Sequence, residues 1–202
     1  MEEKYEKLRD GIYALRTRGT GKVAEIMIKK MLGLEKPDSI FYDLLDTENN
    51  KKVEVKFSIA MRANAKKITE ENVIEEIMKA LKEKRFLKYE EAFNCAFDCN
   101  IQQIKTKEFD ILYYGIFFSD KIIIFKMTKK EFEENKSKIG YSDKQHKGNK
   151  GEGQFHIKKK SLKFHVDNYF FKELSYEDFY NILDINYIKE DNIWKKQIIK
   201  II

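Results

Sequence analysis

Residues 40–58 read IFYDLLDTENNKKVEVKFS, two short runs of alternating apolar and polar side chains joined by Thr47-Glu48-Asn49-Asn50. Asparagine tolerates left-handed backbone and hydrogen-bonds its own chain, so this quartet is turn chemistry and the flanking runs predict an antiparallel hairpin. With Thr47 facing Asn50, Asp43 falls opposite Glu54 and Tyr42 opposite Val55. Side chains alternate across a strand. Ile40, Tyr42, Leu44, Val53, Val55 and Phe57 therefore share one face, fit for a core, while Asp43, Glu54 and Lys56 share the other. Directly opposed Cβ atoms in such a pair lie roughly 4.5–5.5 Å apart, and like charges at that range repel. The register leaves Asp43 without a basic residue directly across from it. Two carboxylates so placed cost stability unless a cation lies between them.

Asp43, then Glu54-Val55-Lys56 on the next strand, resembles the signature of the PD-(D/E)XK nuclease superfamily, which includes type II restriction endonucleases, resolvases and several repair nucleases. Pro37-Asp38 supplies a proline and an acid ahead of the strand, but Asp43, which no proline precedes, is the residue that the register sets against Glu54. The resemblance covers residues 20–130 and implies an α/β (α+β) fold of the restriction-endonuclease type, a mixed central β-sheet flanked by helices. It implies Mg2+, for which Mn2+ substitutes, held by Asp43, Glu54 and the Val55 carbonyl, hard oxygen donors of the kind that ion prefers. Lys56 would orient the attacking water or stabilise the transition state. Glu25, on the helix before the hairpin, would join the catalytic set; the alternative is a solvated helix acid. The implied activity is Mg2+-dependent, sequence-specific hydrolysis of phosphodiester bonds in double-stranded DNA by a homodimeric type II restriction enzyme, leaving 5′-phosphate and 3′-hydroxyl ends. A structure-selective resolvase or repair nuclease is one alternative, and a non-catalytic nucleic-acid-binding protein another.

The whole chain sets the bounds on these readings. Its 202 residues suit one domain over 1–202 with a core of ordinary size. A hydrophobic fraction of 42% with 13% aromatics is globular rather than disordered. The net charge of +6 permits a polyanionic partner without demanding one. No run approaches ~18 uncharged apolar residues, so no membrane span is expected, and MEEKYEKLRD at the start lacks an apolar signal core, which predicts a cytoplasmic protein. Cys95 and Cys99 are too few for a disulfide framework and are spaced for one helix face. Their combination with His146 and His156 matches no zinc-finger spacing. The glycines at 148–153 lack the order of a phosphate-binding loop, so no nucleotide cofactor is expected, and no Gly-x-Ser-x-Gly elbow occurs.

Taken in order, apolar periodicity predicts a helix over 3–16, a break at 17–21 (TRGTG), and a second helix over 22–32 stopped by Gly33. After the hairpin, Arg62 and Asn64 lie in an irregular segment available to touch DNA, or merely to connect. A helix flanking the sheet is expected over 69–84, running through Val73, Ile74, Ile77, Met78 and Leu81, and another over 89–100 with Phe93, Ala96 and Phe97 inward. FDILYYGIFF (109–118) and KIIIFKM (121–127) form the strongest strand signal, a second, largely buried hairpin. Thr128 with Glu131, and Ser175 with Asp178, read as capping boxes. Residues 140–165 are rich in lysine and glycine, and Lys144, Gln145, His146, Lys147, Asn149, Lys150, Gln154, His156 and Lys158 form a candidate DNA-contacting loop. A solvated loop is the competing reading. The tail carries Trp194 and paired isoleucines, which either dock on the domain or meet a second copy.

Overall fold

A computed structural model of the chain describes residues 2–63, 67–144 and 152–184. Its centre is a five-stranded sheet in the order β1-β2-β4-β5-β7, made of β1 (Leu44–Asp46), β2 (Lys51–Ile59), β4 (Ile111–Phe117), β5 (Ile122–Thr128) and β7 (Phe170–Leu174). β1 and β2 are antiparallel with Leu44 opposite Val53, the register the turn chemistry predicts. β2 and β4 run parallel, whereas β4–β5 and β5–β7 are antiparallel, so the sheet is mixed. A parallel neighbour requires a crossover. Here residues 60–110 supply it, including α3 (Val73–Lys79), α4 (Lys82–Arg85), α5 (Tyr89–Ala92) and β3 (Asp98–Ile104).

Both faces of the sheet are covered, which is why β4 and β5 read as nearly unbroken apolar runs. On one face Leu44, Val53, Val55, Phe57, Tyr113, Phe117, Ile122 and Ile124 pack against α1 (Glu3–Ala14), α2 (Thr17–Leu32) and α8 (Tyr176–Leu183). On the other, Leu112, Tyr114, Ile116, Ile123, Phe125 and Met127 meet α6 (Lys129–Asn135), α7 (Lys159–Tyr169) and a two-stranded sheet of β3 with β6 (Gly153–Lys158). Gly115 of β4 leaves room for its neighbours on β2 and β5. A Cβ there would lie 2.3 Å from the Phe57 ring and 2.6 Å from the Ile123 carbonyl oxygen. The chain is thus a mixed α and β fold with helices on its central sheet, and none of its described helices is long and apolar enough to cross a membrane.

Several local expectations hold. Gly33 closes α2 in the left-handed region, with φ of 68°. Both capping boxes form, Thr128 with Glu131 and Ser175 with Asp178.

Others are corrected by packing. α2 begins at Thr17 and runs through Gly19 and Gly21, because Thr20 is buried and the helix lies along β2. That tertiary contact outweighs the roughly 1 kcal/mol each glycine costs. Ile40 and Tyr42 stand outside the hairpin, since β1 starts only at Leu44 and Ile40 is 85% exposed. The segment at 89–100 is a four-residue helix followed by β3, where Cys99 and Ile101 alternate inward. Cys95 and Cys99 are therefore not on one helix. Residues 153–158 are strand and 159–169 helix, not loop. The stretch at 69–84 breaks into α3 and α4, and α3 turns its apolar stripe to solvent rather than onto the sheet.

Candidate active site

The polar face of β2 converges with the start of β1. Asp43 is fixed by backbone on both sides: its N–H donates to the Val53 carbonyl at 3.1 Å, and its Oδ2 accepts from the Val55 N–H at 2.9 Å. Lys56 Nζ lies 2.8 Å from Asp43 Oδ2 and 2.7 Å from Glu54 Oε1. One ammonium thus bridges a carboxylate just ahead of β1 and one on β2. It supplies the cation that the opposed acids require, and it corrects the expectation that Asp43 lacks a basic partner.

Glu54 is only 1% exposed. Burial pushes its carboxyl up to about 7; Lys56 opposes that rise and Asp43 adds to it. Burial also works against the Lys56 ammonium, but Glu54 and Asp43 outweigh it and hold its pKa above the ordinary lysine value. Lys56 is therefore a donor and a charge, not a base.

The N–H and C=O of one strand residue point to the same side. Because the Val55 N–H reaches Asp43 past the end of β1, the Val55 carbonyl faces that same open edge. Asp43, Glu54 and this carbonyl form an oxygen set that fits a hard divalent cation, which takes one or two carboxylates and completes its shell with water and phosphate oxygens. Among the described residues no group of three or more His, Cys, Asp and Glu side chains is gathered to hold a metal, so such an ion would rest on two side-chain carboxylates.

Glu25 lies at the border of this cluster. Its Oε2 is 2.6 Å from Lys22 Nζ. The Lys22 pKa is raised first by Glu25, and Asp43 contributes as well, so Lys22 stands in the field of both acids. Lys105, just past β3, lowers the Glu54 pKa and donates to the Ile40 carbonyl at 3.2 Å. The sequence reading missed Lys22 and Lys105. Lys22 could be found by its spacing from Glu25 on one helix, but Lys105 could not, because β3 itself went unseen.

The expected DNA-contacting residues are placed elsewhere. Arg62 donates from Nε to the Phe86 carbonyl at 3.2 Å and pairs with Glu91 at 2.8 Å, and its third nitrogen is 2.8 Å from Cys95 Sγ. It clasps the exit of β2 to α5. Across the small sheet Gln154 accepts from Asn100 at 2.9 Å, His156 Nδ1 lies 2.7 Å from Asp98 Oδ1, and Lys158 Nζ is 3.7 Å from Asp98 Oδ2. These three side chains bridge strands rather than hang in a loop. Lys144 is exposed beside the Ser142–Gln154 bridge. Asn64, Gln145, His146, Lys147, Asn149 and Lys150 lie outside the described residues.

No protein-family model matches the chain, and no curated protein and no solved structure matches it either.

Proposed function

We propose that the chain is a metal-dependent endonuclease that hydrolyses phosphodiester bonds of double-stranded DNA, of the type II restriction class. One observation carries this reading: Asp43, just ahead of β1, and Glu54, on β2, share Lys56 at 2.8 and 2.7 Å on a sheet face whose reverse is core. For a purely structural hairpin, a buried carboxylate pair with one ammonium is a poor investment, since apolar side chains of similar volume do as well or better. For phosphoryl transfer it provides what the reaction lacks in water, namely oxygen ligands and a fixed positive charge.

In this reading Asp43, Glu54 and the Val55 carbonyl would hold Mg2+, or Mn2+ in its place, which when bound would supply a more acidic water and positive charge beside the scissile phosphate. Asp43 is held in place by the Val55 N–H, so its carboxylate meets a substrate without reorganising. Lys56, moving off the carboxylates, donates to the attacking water or to a phosphate oxygen. Glu25 and Lys22 set the charge at the Asp43 end, and Lys105 does so at Glu54. Each chain carries one such cluster, so cutting both strands in one encounter takes two copies.

Incubation of the protein with plasmid and Mg2+ should yield discrete fragments with 5′-phosphate ends. Asp43→Ala and Lys56→Ala should each lower the rate by about 10²- to 10⁴-fold. Preference for four-way junctions over linear duplex would favour a resolvase. Binding without cleavage, unchanged in both variants, would leave a nucleic-acid-binding protein and remove the catalytic role.

A further inference from the structure

The helix α3 is turned inside out relative to its sequence pattern. Ile74 is 77% exposed, Ile77 58% and Met78 57%, and Leu81, one residue past the helix's C-cap, 47%, whereas Glu76 within the helix is buried. Apolar residues at i, i+3, i+4 and i+7 make one continuous stripe, and here that stripe faces water. Among the described residues no other helix or strand packs substantially on α3.

We infer that this stripe is the docking site of the chain's own C-terminal segment, residues 193–202, IWKKQIIKII. Three features of the sequence and the fold match the two. The segment repeats the periodicity: Trp194, Ile198 and Ile201 stand at i, i+4 and i+7, spanning the same seven-residue interval as Ile74 to Leu81. The charges are complementary. Residues 70–79 carry Glu70, Glu71, Glu75 and Glu76 against Lys79, a balance of −3, while 193–202 carry Lys195, Lys196 and Lys200 and no acid, a balance of +3. The reach also suffices. Described structure ends just past α8 at residue 184, and residues 185–193 extend to about 30 Å, against a radius of gyration of roughly 17 Å for a chain of this length.

A second copy meeting the stripe through its own α3 would set two balances of −3 against each other, and an acidic helix is equally unsuited to nucleic acid. Docking of the segment removes apolar side chains from water on both surfaces, each fully buried one contributing about 1.5–3 kcal/mol. This inference does not rest on the nuclease reading.

Trp194 is the single tryptophan of the chain, so its fluorescence reports on the segment alone in the full-length protein. The native protein should emit to the blue of the same protein in guanidinium and be quenched by acrylamide several-fold less. Ile74→Asp and Ile77→Asp alter exposed positions and should leave the circular dichroism unchanged, yet return Trp194 quenching towards the unfolded value. Native quenching equal to the unfolded value would overturn the inference, as would protection indifferent to both substitutions. Protection lost on dilution together with a halving of the mass in sedimentation would also overturn it, by assigning the site to a second copy.

Discussion

At the scale of single residues, the cluster is held by competition between burial and charge. Removing one partner of a buried ion pair typically costs 3–5 kcal/mol because it strands the other charge. Lys56→Met strands two carboxylates, but Glu54 already titrates near 7 and escapes by taking a proton, so the loss should lie at the lower end, about 3 kcal/mol. A divalent ion replaces the missing positive charge. Millimolar Mn2+ should therefore raise the melting temperature of Lys56→Met more than that of the wild type, whose own ammonium competes for the same oxygens. Saturation to 100 times the dissociation constant returns about 2.7 kcal/mol. Thermal unfolding with and without Mn2+ checks this. The ion should have no such effect when Asp43→Asn is added, and equal shifts in both backgrounds would mean that the oxygens do not bind it.

At the scale of elements, the hairpin turn sets the register that brings Asp43 to Glu54. Asn50 occupies the left-handed region with φ of 49°, where a side chain with Cβ but no local hydrogen bond costs roughly 1–2 kcal/mol. Asn50→Ala should lower the urea midpoint accordingly, and Asn50→Gly should leave it unchanged or raise it. Loss of stability from the glycine variant would show that the side chain, not the backbone conformation, defines the turn.

Turn chemistry of this kind is local, and so are the two capping boxes and the Gly33 stop, which is why all of them were legible in the sequence. The pairing of Leu44 with Val53 and the convergence of Asp43, Glu54 and Lys56 followed from the same local rule. What the sequence hid depends on contacts between distant elements. β3 carries only Cys99, Ile101 and Ile104 as inward apolar residues, and a bulge with Gln103 at φ of 62° breaks its alternation. Without β3, its partner β6 read as part of a lysine-rich loop, and Gln154, His156 and Lys158 read as free to meet DNA. α3 failed for the opposite reason: its periodicity is genuine, but amphipathicity alone does not state which way a stripe faces.

At the scale of the whole molecule, two apolar layers share one sheet, so a charge forced into either layer draws on the same stability. Two buried groups on the sheet face that carries Leu112 and Tyr114, His165 and Glu54, have proton equilibria displaced in opposite directions between pH 4 and 7. His165 is fully buried among Phe155, Phe125 and Tyr114, whose hydroxyl lies 2.9 Å from its Nδ1. Burial holds its pKa near 4 against an ordinary 6.5. Between those values the unfolded chain binds the proton and the folded one does not, so His165 costs stability as the pH falls from 6.5 towards 4. Glu54 has the opposite sign. Its folded pKa of about 7 exceeds the ordinary 4.5, so the folded state binds the proton first, and the stability this contributes at low pH is lost as the pH rises from 4.5 to 7. Each displacement of about 2.5 units is worth about 3 kcal/mol. The two windows overlap, and metal-free wild type should show little net dependence between pH 4.5 and 6.5. Single substitutions should expose the hidden slopes. Glu54→Gln leaves His165 uncompensated, and its stability should climb with pH across that interval; His165→Leu leaves Glu54 uncompensated, and its stability should fall. Urea unfolding in EDTA at half-unit steps of pH separates the cases. Parallel curves for the three proteins would mean that neither group is displaced by its surroundings, and the electrostatic account of the Asp43–Glu54–Lys56 cluster would fall with them.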